Sequence, residues 1–112
     1  MATSNPDTWT SPRWHSDFGN PEEELSRLQA CAKALLRKCP DATVSLEQPE
    51  EGYMYVEVSR DSQPVAEVYC VKEPGKPDSV RYGVFVFTGK GEAETYCSTP
   101  DEVVELIARE CS

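Results

Sequence analysis

The chain has 112 residues, a mass of 12.5 kDa and a formal net charge of −9, with 38% hydrophobic and 28% charged residues; this is one domain's worth of chain with ordinary globular composition. Its acid is concentrated in residues 41–60 (five acids, one base) and 101–112 (four acids, one base), which opposes attraction to nucleic acid or anionic membrane and suits a basic protein partner. No apolar run is long enough to span a bilayer, and the N-terminus lacks a basic region followed by an apolar one, so a cytoplasmic protein is expected.

Residues 1–19 are rich in Ser, Thr, Pro and Asn and show no period. They read as an irregular N-terminal arm ahead of a single domain over residues 20–112. The arm holds both tryptophans, Trp9 and Trp14, together with Phe18. Large aromatics of this kind fold back onto a domain or meet a partner, and Trp14 and Phe18, nearer the first helix, suit the fold-back.

That helix starts at Asn20, with Pro21 at the first helical position, Glu23 in a capping-box arrangement, and Glu22 and Glu24 favouring the positive end of the helix dipole. Leu25, Leu28, Ala32, Leu35, Leu36 and Cys39 recur at spacings of three and four and form one apolar stripe. Arg27, Lys33, Arg37 and Lys38 lie opposite or beside it, and Pro40 ends the helix.

Five strand candidates follow. Ala42–Glu47 and Tyr53–Ser59 alternate apolar and polar residues, with Gln48–Gly52 as the turn between them. Arg60–Gln63 is a short polar loop, and Val65–Val71 returns antiparallel, setting Ala66, Val68 and Cys70 against Glu67 and Tyr69. Glu73–Ser79 reads as a longer turn. Val80–Thr88 carries Val84, Phe85, Val86 and Phe87 in succession; apolar on both faces, it is expected to be a central strand covered on both sides. Gly89-Lys90-Gly91 permits a tight hairpin into Glu92–Cys97. A second helix is signalled by Thr99 as N-cap, Pro100 at the first helical position and Glu102 as capping-box partner; Val103, Val104, Leu106, Ile107 and Cys111 give it a broad apolar face.

The order helix, five strands, helix with short links predicts an α+β fold: a five-stranded antiparallel meander with the N-terminal and C-terminal helices packed on one face. The other face gathers Tyr53, Tyr55, Tyr69, Tyr96 and, depending on register, either Phe85 with Phe87 or Tyr82 with Val84. An aromatic patch of that kind has three uses: a seat for the arm, an interface with a protein partner or a second copy, or the wall of a ligand pocket.

Support for chemistry is thin. The five cysteines, Cys31, Cys39, Cys70, Cys97 and Cys111, form no CxxC pair and mostly fall on apolar faces, as reduced core thiols do. His15 is the single histidine and lies in the arm. Glu50–Glu51 and Glu92/Glu94 sit in or beside turns, and the Gly89–Gly91 stretch is too short for a phosphate loop. No catalytic set, metal site or cofactor is implied. The expectation is a small acidic, non-enzymatic interaction or regulatory module that uses Tyr53, Tyr55, Tyr69, Phe85, Phe87 and Tyr96; the alternative is a small-molecule-binding protein or enzyme with a pocket between sheet and arm.

Overall fold

A computed structural model of the chain describes residues 6–9, 21–50, 53–73, 76–88 and 91–111. Helix α1 spans Pro21–Lys38, and strands β1 (Thr43–Glu50), β2 (Tyr53–Arg60), β3 (Gln63–Glu73), β4 (Lys76–Thr88) and β5 (Gly91–Cys97) follow. Helix α2, Pro100–Cys111, closes the order. The strands form one antiparallel sheet in sequence order. The expected α+β architecture is therefore the observed one, with both helices on one face of the meander.

Local chemistry accounts for the elements. Glu23 and Arg27 pair across one turn of α1 at 3.3 Å, and Pro40 lies just beyond its end, where a proline cannot continue the helix. At the start of α2 the Glu102 amide donates to Thr99 Oγ1 at 3.2 Å. The Glu102 carboxylate accepts from the Ser98 amide at 3.3 Å, one residue earlier than the usual capping box. The N-cap expected at Asn20 lies outside the described residues.

The β2–β3 hairpin turns on Asp61 and Ser62, whose φ values of 53° and 66° put both in the left-handed region. That is the backbone of a two-residue type I′ turn, which matches the twist of the strands it joins. The register steps from Val58↔Ala66 to Ser59↔Pro64, so Val65 is the extra residue of a bulge. The longer turn expected over Glu73–Ser79 is not found: β3 runs to Glu73, β4 begins at Lys76, and Glu73 pairs with Lys76. The register jumps there from Lys72↔Val80, leaving Pro77, Asp78 and Ser79 in an irregular stretch of strand. A proline is tolerated at such a point because no ladder amide is required of it.

The core lies between the helices and one sheet face. Leu25, Leu28, Cys31, Ala32 and Leu35 of α1 and Val103, Val104 and Ile107 of α2 meet Val44, Met54, Val56, Val58, Ala66, Val68, Tyr82, Val84, Val86 and Cys97, all buried. Cys39 and Leu36, expected on the α1 stripe, are half-buried against this cluster. At its edge, the short 3-10 turn Pro6–Thr8 touches α1 and β1, Gln29 Nε2 donates to the Pro6 carbonyl at 2.8 Å, and Trp9 packs against the core. Trp14, His15 and Phe18 lie outside the described residues, so the fold-back expected of Trp14 and Phe18 falls there too.

The expected central strand is an interior one, paired on both edges, and among the described residues its two faces differ in burial. The stretch Val80–Thr88 belongs to β4, fourth of five in the sheet. Tyr82, Val84 and Val86 are sealed beneath the helices, whereas Phe85 and Phe87 on the other face are only half-buried. Its continuous apolar run thus combines an aliphatic core face with an aromatic outer face.

Candidate interaction surface

Strand alternation sends Glu57, Glu67, Phe85 and Glu94 to the face away from the helices. The register aligns them in one row across the sheet: Ser45↔Glu57, Glu57↔Glu67, Glu67↔Phe85 and Phe85↔Glu94. A neighbouring row contains Tyr69↔Gly83 and Gly83↔Tyr96, and toward β1 it holds Glu47↔Tyr55. The register also settles the open choice between aromatic pairs. Because Cys70 pairs with Tyr82 and Val68 with Val84, Tyr82 and Val84 belong to the helix side, while Phe85 and Phe87 face out.

Gly83 is what lets the centre of this surface assemble. A Cβ on Gly83 would stand 2.2 Å from Tyr69 Cζ, so the Tyr69 ring lies directly on the bare backbone of β4. Lying there, the ring stacks on Phe85, with centroids 6.0 Å apart and planes inclined by 30°. Its hydroxyl reaches one strand further and donates to Glu94 Oε1 at 2.5 Å. Any larger residue at position 83 would lift the ring and break both contacts.

The electrostatics follow from this crossing. The Tyr69 hydroxyl, which donates to Glu94, and after it the nearby Tyr96 hydroxyl hold its carboxyl below the usual carboxylate range. Burial, followed by the bond to Glu94, pushes the Tyr69 phenol up. Tyr96 is raised chiefly by the same carboxylate. Glu94 is therefore an ionised acceptor at neutral pH, bonded to the Tyr69 phenol beside a stacked ring pair.

Among the residues expected at the site, Tyr69 and Phe85 are in contact, and Tyr96, 53% exposed, joins them through Glu94. Tyr55 and Phe87 share the face but sit toward other parts of it, opposite Glu47 and Glu92. Tyr53 begins β2 in register with Glu50, and its side chain lies outside the described residues. The aromatic content was legible from strand alternation. The row of carboxylates and the part played by Gly83 were not, since both depend on which residues face each other across strands.

A second polar cluster lies on the helix side. Tyr82 has Cys70 and Cys97 as its cross-strand neighbours. The Arg27 guanidinium and the Cys31 thiol of α1 lie beside its hydroxyl, and Arg27 is raised chiefly by it. Burial pushes the Cys31 thiol up to about 12 and raises Cys70 and Cys97 as well. A nucleophilic cysteine needs the opposite shift. Cys31, Cys39, Cys70 and Cys97 are unbridged, and among the described residues no group of three or more His, Cys, Asp or Glu is placed to hold a metal ion.

Two depressions among the described residues lie on the helix side. One of about 300 Å³ is lined by residues 38–42, Arg60 and Ala108; another of about 370 Å³ runs between α1 and α2. Compared with protein families, curated proteins and solved structures, the chain shows no significant match to any.

Proposed function

We propose that this protein is a non-enzymatic interaction module that engages a protein partner through the open sheet face. The observation behind this reading is the row Glu57, Glu67, Phe85, Glu94 flanked by Tyr55, Tyr69 and Tyr96. Aromatic side chains bearing a polar tip, ringed by polar groups, are the composition of protein-binding patches. The buried thiols are shifted away from nucleophilic reactivity.

Site-specific photo-crosslinking in cells tests this. A photoreactive phenylalanine analogue replacing Phe85 should give a discrete cross-linked protein species. The same analogue at Lys33, exposed on the outer side of α1, should not. No product from position 85, or the same products from both positions, would overturn the reading.

A further inference from the structure

We infer that the partner presents arginine side chains on an extended segment, and that the guanidinium groups lie on the Phe85–Tyr69 ring pair between the carboxylates of Glu67 and Glu94. The inference rests on the open face being the interaction surface and names the chemistry that surface takes. Three observations converge on it.

The first is charge. Among the described residues of this face, Glu47, Glu57, Glu67 and Glu94 stand against Arg81, and the whole chain carries −9. A basic partner is drawn toward such a surface and an acidic one repelled. A second copy docking the same face by two-fold symmetry would bring glutamates against glutamates.

The second is the alternation within the row. Glu67, Phe85 and Glu94 occupy three successive strands, with inter-strand spacings of about 4.8 Å, so the two carboxylates are anchored roughly 10 Å apart with a ring between them. A planar cation set flat on that ring has a carboxylate toward either edge. Guanidinium suits the position because it stacks on aromatic faces and donates in its own plane, whereas an ammonium is a compact, strongly hydrated point charge. Glu57 extends the acidic row one strand further, about 14 Å from Glu94 by the same spacing. Same-face residues four apart on an extended peptide are separated by about 13 Å, so two arginines spaced i and i+4 match the two ends of the row.

The third is preorganisation. Tyr69 is fixed over Gly83 and bonded to Glu94. The ring and the acceptor are thus in place before any partner arrives, which reduces the ordering that binding requires.

Fluorescence anisotropy of the full chain with labelled nona-arginine and nona-lysine peptides, at physiological salt, separates this chemistry from bulk charge attraction. Nona-arginine should bind about fivefold or more tightly than nona-lysine. Amide shift mapping should place it on Tyr69, Phe85 and Glu94. Phe85→Leu, which removes the ring and keeps an apolar side chain, should bring arginine affinity down to the lysine value. Glu94→Gln, a change at the exposed surface, should likewise narrow the difference and covers the case in which Phe85→Leu does not fold. Equal affinities for the two peptides, or shifts confined to the helix side, would overturn the inference. If the Phe85 cross-link persists alongside equal affinities, the arginine preference fails while the interaction surface stands; if the cross-link is absent, the surface itself fails.

Discussion

Along β3, Ala66 and Val68 are buried to 0% and 2% exposure beneath the helices, while Glu67 and Tyr69, one residue away on the opposite side, remain half-buried. The same two-residue period thus builds two surfaces of different character from a single strand. The helix side is aliphatic, with valines and alanines in register from β1 to β4: Val44↔Val58, Val58↔Ala66 and Ala66↔Val86. The open side sets glutamate opposite glutamate at Glu57↔Glu67, an arrangement that costs stability on neighbouring strands. A sheet selected for stability alone would place threonine or an opposite charge there. Departures from local rules cluster where function needs them, and this one lies on the proposed interaction surface.

The largest expected difference between the two sides is energetic. Leu28, wholly buried at the centre of the α1 stripe, should lose about 2–5 kcal/mol of stability on substitution by alanine, from lost transfer energy and the cavity left behind. Tyr96→Ala on the open side, where the ring is 53% exposed, should cost under about 1 kcal/mol. Urea unfolding curves for the two variants measure the contrast directly. Equal losses would mean that the open face is as structural as the core.

The two sides should also divide the pH dependence. Cys31 is raised from 9.0 to about 12 in the folded protein, so its contribution is intact below pH 9 and is lost as pH climbs toward 12 and the unfolded thiol ionises. At about 1.36 kcal/mol per pKa unit, roughly 4 kcal/mol is lost across that window. Glu94 is lowered in the folded state, so its contribution is present above the ordinary carboxylate range and disappears as pH falls through it. Cys31→Ala should therefore flatten the alkaline limb of a stability-versus-pH curve, and Glu94→Gln the acid limb. The tyrosines are raised on both sides, Tyr82 under the helices and Tyr69 and Tyr96 outside, so some alkaline loss should survive in Cys31→Ala.

Gly83 links the two surfaces, because its bare backbone is buried under the Tyr69 ring. Gly83→Ala should displace that ring, costing about 1–2 kcal/mol through the lost stack and hydrogen bond. In a Tyr69→Ala background the same substitution should be nearly neutral, since the atom it collides with is gone. A double-mutant cycle with no coupling between positions 69 and 83 would break the account of how the open face is organised.

Much of this was readable beforehand, because it depends on neighbours in sequence. Thr99-Pro100 with Glu102 marked the start of α2, and alternation in β2 and β3 assigned Met54, Val56, Val58, Ala66 and Val68 to one side. What could not be read depends on neighbours in space. Phe85 and Phe87 could be told from Tyr82 and Val84 only by the pairing of Cys70 with Tyr82. The meeting of Glu57 with Glu67 needed the Asp61–Ser62 turn and the Val65 bulge to fix the β2–β3 register. A one-residue slip would exchange the two faces entirely. Likewise, Gly83 carries no local signal that a ring from β3 must cross it.

The smallest expected change in stability has the opposite sign from the others and separates the two demands on the sheet most cleanly. Glu57 sits between Ser45 and Glu67 across the strands, and its Oε1 accepts a hydrogen bond from Ser59 Oγ at 3.4 Å. Glu57→Lys replaces a like-charge cross-strand pair with an opposite-charge one. This should be worth roughly 0.2–1 kcal/mol, somewhat reduced by loss of the long Ser59 contact. The thermal midpoint should rise by a few degrees for a domain of this size, since about 1 kcal/mol corresponds to roughly 4–8 °C. The same substitution places a cation at one end of the acidic row, so nona-arginine affinity should fall while the fold becomes more stable. A variant that gained stability and kept its full arginine affinity would show that the carboxylate row is not what the partner reads. One that lost both would show that Glu57 serves the fold, and the contrast between the faces would then have to be drawn from the aromatic residues alone.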